Sequence, residues 1–181
     1  MNREVLKKMI LTIFPEFLPC IGFQQNNPYH IYDVFDHTIV ALEACETSYD
    51  KVTILAVLFH DIGKPECYKE DENGIGHFHG HAEISADLTN NLMKLIGFKD
   101  SLRIPVVELI KYHSVFFEEN YSCIRSWYNK LGYLQFTRLL NVRRADVKAQ
   151  TLDKMQERLD KIDRIEKMII KIKEEVMQEV K

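Results

Sequence analysis

Apolar positions recur at helical spacing along most of the chain. Val5, Leu6, Met9, Ile10, Ile13 and Phe14 repeat every three to four residues until Pro15 stops them, which predicts an amphipathic helix. A connector runs from Pro15 to Tyr32, with three of the five prolines and the polar run Gln24-Gln25-Asn26-Asn27. Residues 33–48 (DVFDHTIVALEACETS) read as a helix whose buried side carries Phe35, Ile39 and Leu42 with Ala41, Ala44 and Cys45. Residues 51–62 (KVTILAVLFHDI) are apolar at nearly every position, which predicts a central helix buried on every side and ended by Gly63 and Pro65.

Residues 66–80 break this pattern. Asp71-Glu72-Asn73-Gly74 is a hairpin turn signal between ECYKE and IGHFH. Helical spacing resumes over 81–96, 103–114, 121–131 and 133–150. The tail, 151–181, has no Gly or Pro and carries a narrow stripe at Leu152, Met155, Leu159, Ile162, Ile165, Ile169, Ile172 and Val176. Acid-first pairs at i,i+4 (Glu157–Lys161, Asp160–Arg164, Asp163–Lys167) support a long helix there, roughly 45 Å if wholly helical. Its stripe fits packing on the body or pairing with a second copy, so monomer and homodimer both stay open. The expected division is one domain over 1–150 and a C-terminal helix over 151–181.

Composition narrows the class. Seven glycines and five prolines in 181 residues argue against a β-sandwich or barrel, and 46% hydrophobic with 28% charged residues describe a globular chain. No window approaches 18 apolar residues, the N-terminus lacks a signal-peptide core, and no membrane association is expected. The four cysteines, Cys20, Cys45, Cys67 and Cys123, form no CxxC and imply neither a disulfide framework nor a zinc knuckle, so a cytoplasmic location is expected. The net charge is −3, yet residues 121–150 set Arg125, Lys130, Arg138, Arg143, Arg144 and Lys148 against Asp146 alone. Such a segment faces either solvent or a phosphate-bearing ligand.

The candidate chemistry lies in the histidines: His30, His37, His60, His77, His79, His81 and His113. His60-Asp61 ends the most apolar helix, where a carboxylate is costly unless paired or bound to a cation. Adjacent helix positions diverge by about 100°, so further ligands must come from other helices. His37 is one supplier, because Ala41 and Ala44 at i+4 and i+7 permit close approach. Asp146 is another, as the sole carboxylate of the basic segment. Two imidazoles with one or two carboxylates suit an open, water-bearing octahedral site for a divalent metal, whereas a structural zinc would draw on thiolates. Arg143 lies at i−3 to Asp146 on the same helix face, placed for a phosphate clamp or for an ion pair with Asp146.

The order His37 … His60-Asp61 … Asp146, with HDIGK at 60–64, resembles the HD superfamily of metal-dependent phosphohydrolases. NPYHIYDVFDHT (27–38), LFHDIGKP (58–65), DENGIGHFHGHAEISA (71–86) and RRADVKAQ (143–150) resemble more closely the HD domain of bacterial tRNA nucleotidyltransferases, the CCA-adding and poly(A)-polymerase-like enzymes. The resemblance covers roughly Pro15 to Gln150. It implies an all-α HD-domain bundle with a small hairpin after the HD helix and a long C-terminal helix. Because no Gly-Ser followed by a paired-carboxylate strand is present, CCA addition is not expected, and the chain reads as a free-standing HD domain.

Carried onto this sequence, the resemblance makes His37, His60, Asp61 and Asp146 ligands of one metal. It makes His81 and His113 ligands of a second, with Asp61 bridging and His79 as an alternative to His81. It also makes Lys64 a contact to substrate phosphate; the plainer alternative is a cation satisfying a helix C-terminus. The cofactor implied is one or two divalent ions among manganese, iron, nickel, cobalt and magnesium. The expected activity is hydrolysis of a phosphomonoester or phosphodiester on a nucleotide or RNA end, with Asp61, Lys64 and Arg143 at the reacting phosphate. Two alternatives remain. One is a non-catalytic RNA-binding module, with tRNA as partner and Trp127, Tyr128 and Tyr133 available for stacking. The other is an HD hydrolase of a deoxynucleoside triphosphate, an alarmone or a cyclic dinucleotide.

Overall fold

The computed structural model describes residues 2–179, so Val180 and Lys181 of the expected tail, like Met1, lie outside the described residues. It is an all-α bundle with one two-stranded hairpin. Helix α1 (Arg3–Ile13) leads into a 3-10 turn over Pro15–Cys20, followed by α2 (Val34–Glu43) and α3 (Lys51–Phe59). One turn of helix, α4 (Lys64–Cys67), precedes β1 (Lys69–Glu70) and β2 (Gly76–His77), which pair antiparallel. Then come α5 (His81–Ile96), α6 (Asp100–Tyr112), α7 (Tyr121–Lys148) and α8 (Met155–Glu179).

Acidic caps fix where the central helices start. Asp33 accepts from the Asp36 amide at 2.6 Å and also from the Gly22 amide at 2.8 Å, so one side chain starts α2 and anchors the connector. Asp50 does the same for α3 through Thr53. Helix α3 packs against α2, α6 and α7, with Phe59 stacked on Phe17 and edge-on to Phe14. Its burial is not complete on every side, because Lys51 and Ile54 are exposed on the first turn.

Two boundaries differ from those the pattern predicts. Helix α2 stops at Glu43, five residues short of the predicted end. Helix α6 begins at Asp100 and carries Pro105 inside it. The two predicted helices over 121–131 and 133–150 are both present, as the two arms of α7 on either side of a kink at Gly132, whose φ of 74° is left-handed and suits glycine. The tail lays Ile162, Ile165, Ile169 and Ile172 against the body, chiefly on α7, and all four are buried. Most of the basic residues of α7 are met by acids: Arg125 by Glu175 and Glu179, Arg138 by Asp50, Arg144 by Asp163 and Glu166, Lys148 by Glu46. The charge asymmetry is thus largely an internal fastening of α8 and of the α2–α3 corner. No described helix is long and apolar enough to cross a membrane.

Candidate metal centre

Helix α3 ends where its sequence turns polar, and the chain then makes a tight turn through His60, Asp61, Ile62 and Gly63 into α4. Gly63 is required by proximity. A Cβ there would lie 2.6 Å from the Ser85 amide nitrogen and 2.8 Å from Ile84 Cγ2, so only glycine lets the turn sit against α5. The Gly63 amide donates to Ser85 Oγ at 2.9 Å, which fastens the turn. Asp61 is thereby held at the centre of the molecule, 1% exposed.

Around it gather His37 from α2, His60 from the same turn, Lys64 opening α4, His81 opening α5, His113 closing α6 and Asp146 from α7. Asp61 Oδ2 faces His60 Nε2 at 3.2 Å and His37 Nε2 at 3.4 Å. Asp61 Oδ1 faces the other pair, His81 Nε2 at 3.5 Å and His113 Nε2 at 3.7 Å. Asp146 Oδ1 closes the first set, 3.0 Å from His37 Nε2 and 3.8 Å from His60 Nε2. The two oxygens of one carboxylate therefore serve two neighbouring donor sets.

All four imidazoles are oriented in the same way. The Nδ1 atoms of His37, His60, His81 and His113 lie 2.7–3.2 Å from the carbonyls of Ala149, Val57, Phe78 and Ile110. A carbonyl only accepts, so each Nδ1 donates outward and each Nε2 is turned toward the centre, the orientation that prepares histidine for a metal. His60 Nε2 and Asp61 Oδ2 are buried with no hydrogen-bond partner. Lys64 Nζ makes an ion pair with Asp61 Oδ2 at 2.7 Å and donates to Gln25 Oε1 at 2.7 Å. Buried, orphaned nitrogen and oxygen atoms aimed at a common point fit a divalent cation of borderline or hard character.

The electrostatics agree with the geometry. Burial opposes protonation of His60, but the neighbouring Asp61 and Asp146 carboxylates overcome it and push His60 up to about 10. Burial also works against ionising Asp61 and Asp146, yet the facing histidines, and for Asp61 also Lys64, hold both well below the usual carboxylate range. Burial pushes His113 down to about 3 and lowers His81 as well, so that pair is neutral. A cavity of about 160 Å³ opens onto the cluster, lined in part by Asp61, Lys64, His81, His113 and Asp146.

The family model of the HD domain matches residues 34–171. The chain belongs to the HD domain family. Its relatives include the A-adding tRNA nucleotidyltransferase of Deinococcus radiodurans, 32% identical over 119 residues, and the CC-adding tRNA nucleotidyltransferase of Thermus thermophilus, 27% identical over 118. The matched stretches cover 64% and 63% of this chain but only 27% of each relative. Members of the HD domain family bind divalent metals, and this HD domain has histidine and aspartate groups that could hold one.

Of the residues given a role in the sequence, seven meet here: His37, His60, Asp61, Lys64, His81, His113 and Asp146. His79 does not. It is exposed on the hairpin, stacked on His77, which in turn bonds Asp71. Arg143 is not at this cavity either. Its guanidinium donates to the Val115 carbonyl and lies over Phe117, and it makes no ion pair with Asp146. Trp127 packs between Tyr112 and Phe117 in the core. Three lining residues carried no assignment from the sequence: His30, Ser114 and Gln150. Gln150 was findable, because it lies one turn beyond Asp146 and donates to its Oδ1 at 2.9 Å. His30 lies in an irregular connector, where periodicity has nothing to say.

Proposed function

We propose that this HD domain is a metal-dependent phosphohydrolase acting on a phosphate ester of a nucleotide or RNA end. The observation that carries the reading is the division of Asp61 between two imidazole pairs whose Nδ1 atoms are all tied to backbone carbonyls. His37, His60, Asp61 and Asp146 would hold one divalent ion, and His81 and His113 with Asp61 a second. Bound there, the metal supplies a nucleophile from solvent at neutral pH and neutralises phosphoryl charge.

The remaining work falls to the chain itself. Asp61 sets the spacing of the two donor sets. The backbone carbonyls lock each ring, so no reorganisation is needed when charge develops. Lys64 brings an ammonium to the cavity wall, held by Gln25, where it can meet a phosphoryl oxygen. The small cavity admits a phosphoryl group and a few waters, while a larger leaving group must extend outside it. Nucleotide or RNA substrates are supported by the relatives, whose names describe enzymes acting on tRNA.

The test is elemental analysis of the purified protein, followed by a panel of nucleoside monophosphates, 2′,3′-cyclic phosphates and short RNA with manganese, iron, cobalt, nickel or magnesium. Release of phosphate or ring opening that disappears in Asp61→Ala supports the proposal. Turnover that survives Asp61→Ala refutes it.

A further inference from the structure

The arginines along α7 divide into two kinds. Arg125, Arg138 and Arg144 each have a carboxylate within 3.4 Å. Arg143 has none within 4 Å among the described residues, although burial is strong enough to lower its pKa against the pull of Asp146. Arg158 on α8 is in the same position: it donates to Gln150 Oε1 and lies over the Tyr29 ring, with no acid beside it among the described residues. Both arginines line one cavity of about 310 Å³, together with Lys161. Lys161 lies 3.8 Å from Glu119, but Arg164 holds that carboxylate at 2.6 Å. Three cationic side chains thus line one cavity, and among the described residues only Lys161 has a carboxylate within 4 Å, one that Arg164 already holds, in a chain whose net charge is −3. Gathering them costs mutual repulsion and desolvation, which a bound anion would offset.

Position supplies the rest. Ser114 and Asp146 line the cavity at the metal centre, whereas Phe116 and Val147 line this one, so the two are neighbours along the same two segments. Gln150 joins them, bonded to Asp146 on one side and to Arg158 on the other. The floor is apolar, with Val147, Ile162 and Ile165 buried, and the Phe116 ring stands at the mouth, 74% exposed. An inorganic anion has no use for such walls; a nucleoside attached to a phosphate does.

We infer that this second cavity is an anion subsite for a nucleotide that carries two phosphate groups, one in the cavity and the other at the metal centre. The inference rests on the phosphohydrolase reading for the first phosphate and adds the substrate class: a nucleoside bisphosphate or a dinucleotide. It also gives Arg143 a phosphate to hold, one step away from the reacting centre.

Calorimetric titration of the metal-loaded full chain tests the subsite, with hydrolysis during the titration checked by phosphate release. The probes are adenosine 3′,5′-bisphosphate, adenosine 5′-monophosphate, adenosine 3′-monophosphate and inorganic pyrophosphate. The bisphosphate is expected to bind at least about tenfold more tightly than either monophosphate, as a charge-assisted contact to arginine implies. Lys161→Gln and Arg143→Met should each shrink that ratio at least about threefold. Equal affinities for bisphosphate and monophosphates overturn the inference, as does a ratio unchanged in Lys161→Gln. Lys161 sits on the surface side, so that variant keeps the test decisive if Arg143→Met fails to fold. Pyrophosphate binding as tightly as the bisphosphate overturns the nucleotide assignment. A preserved ratio with no hydrolysis under any metal would sink the phosphohydrolase reading alone; hydrolysis with no ratio would sink the subsite alone.

Discussion

His81 Nε2 lies 3.1 Å from His113 Nε2, although 32 residues separate them in the chain. Both Nδ1 atoms are committed as donors to carbonyls, so two lone pairs face each other unless a proton or a cation stands between them. Burial lowers the pKa of both rings, which disfavours the proton. The contact therefore reads as one edge of a cation site completed by Asp61 Oδ1. His81→Ala and His113→Ala are expected to lower the metal content from two ions per chain to one. Elemental analysis after gel filtration measures it, and unchanged stoichiometry in both variants would remove the second site.

Metal affinity should rise with pH. In the metal-free protein His60, pushed up to about 10, keeps its proton through the neutral range, beside Asp61 and Asp146. A cation entering that set must displace the proton. Each unit of falling pH then costs about tenfold in apparent affinity, and the dependence flattens only above about pH 10. Chelator competition at pH 6, 7 and 8 checks this; a flat profile would contradict it.

Gln150 acts on the centre through Asp146. Removing its amide in Gln150→Ala frees Asp146 Oδ1 and leaves Arg158 without its acceptor. A loss of roughly tenfold in metal affinity is expected, as for other outer-shell partners. Gln150→Glu should restore the acceptor for Arg158 but place a second negative charge beside Asp146. The two variants therefore separate the roles of Gln150 as donor and as acceptor.

Gly63→Ala should destabilise the fold by about 1–3 kcal/mol, because the added methyl meets backbone of α5 and not a flexible tip. Urea unfolding measures the loss. Metal affinity should fall as well, since a shifted turn carries His60 and Asp61 with it.

The C-terminal helix contributes to the core. Ile165→Ala, at a position 1% exposed, is expected to cost about 2–5 kcal/mol, while Arg144→Ala, which breaks partly exposed pairs to Asp163 and Glu166, should cost about 1 kcal/mol or less. Thermal melts of the two variants would rank apolar packing against charge in fastening α8.

By itself the sequence determined most of the elements and marked candidate donors. Helical spacing placed α1, α3, α5 and α8 to within a few residues, since an apolar stripe must be buried wherever the helix finally docks. The motif at His60-Asp61, with His37 and Asp146 at helical positions, marked the centre because a carboxylate beside the most apolar helix needs a partner. The spacing between His60 and His113 said nothing of whether their rings would meet. That was decided by the docking of α5 and α6 around Gly63, a matter of close packing with no periodicity. The same holds for Arg143 and Arg144. Adjacent in sequence, they diverge around the helix, and the acids of α8 cover one and leave the other facing a cavity. Charge is local to a residue, whereas counter-charge belongs to whatever the fold brings beside it, so only the tertiary structure could separate an arginine fastened by acids from one that lines a cavity without them.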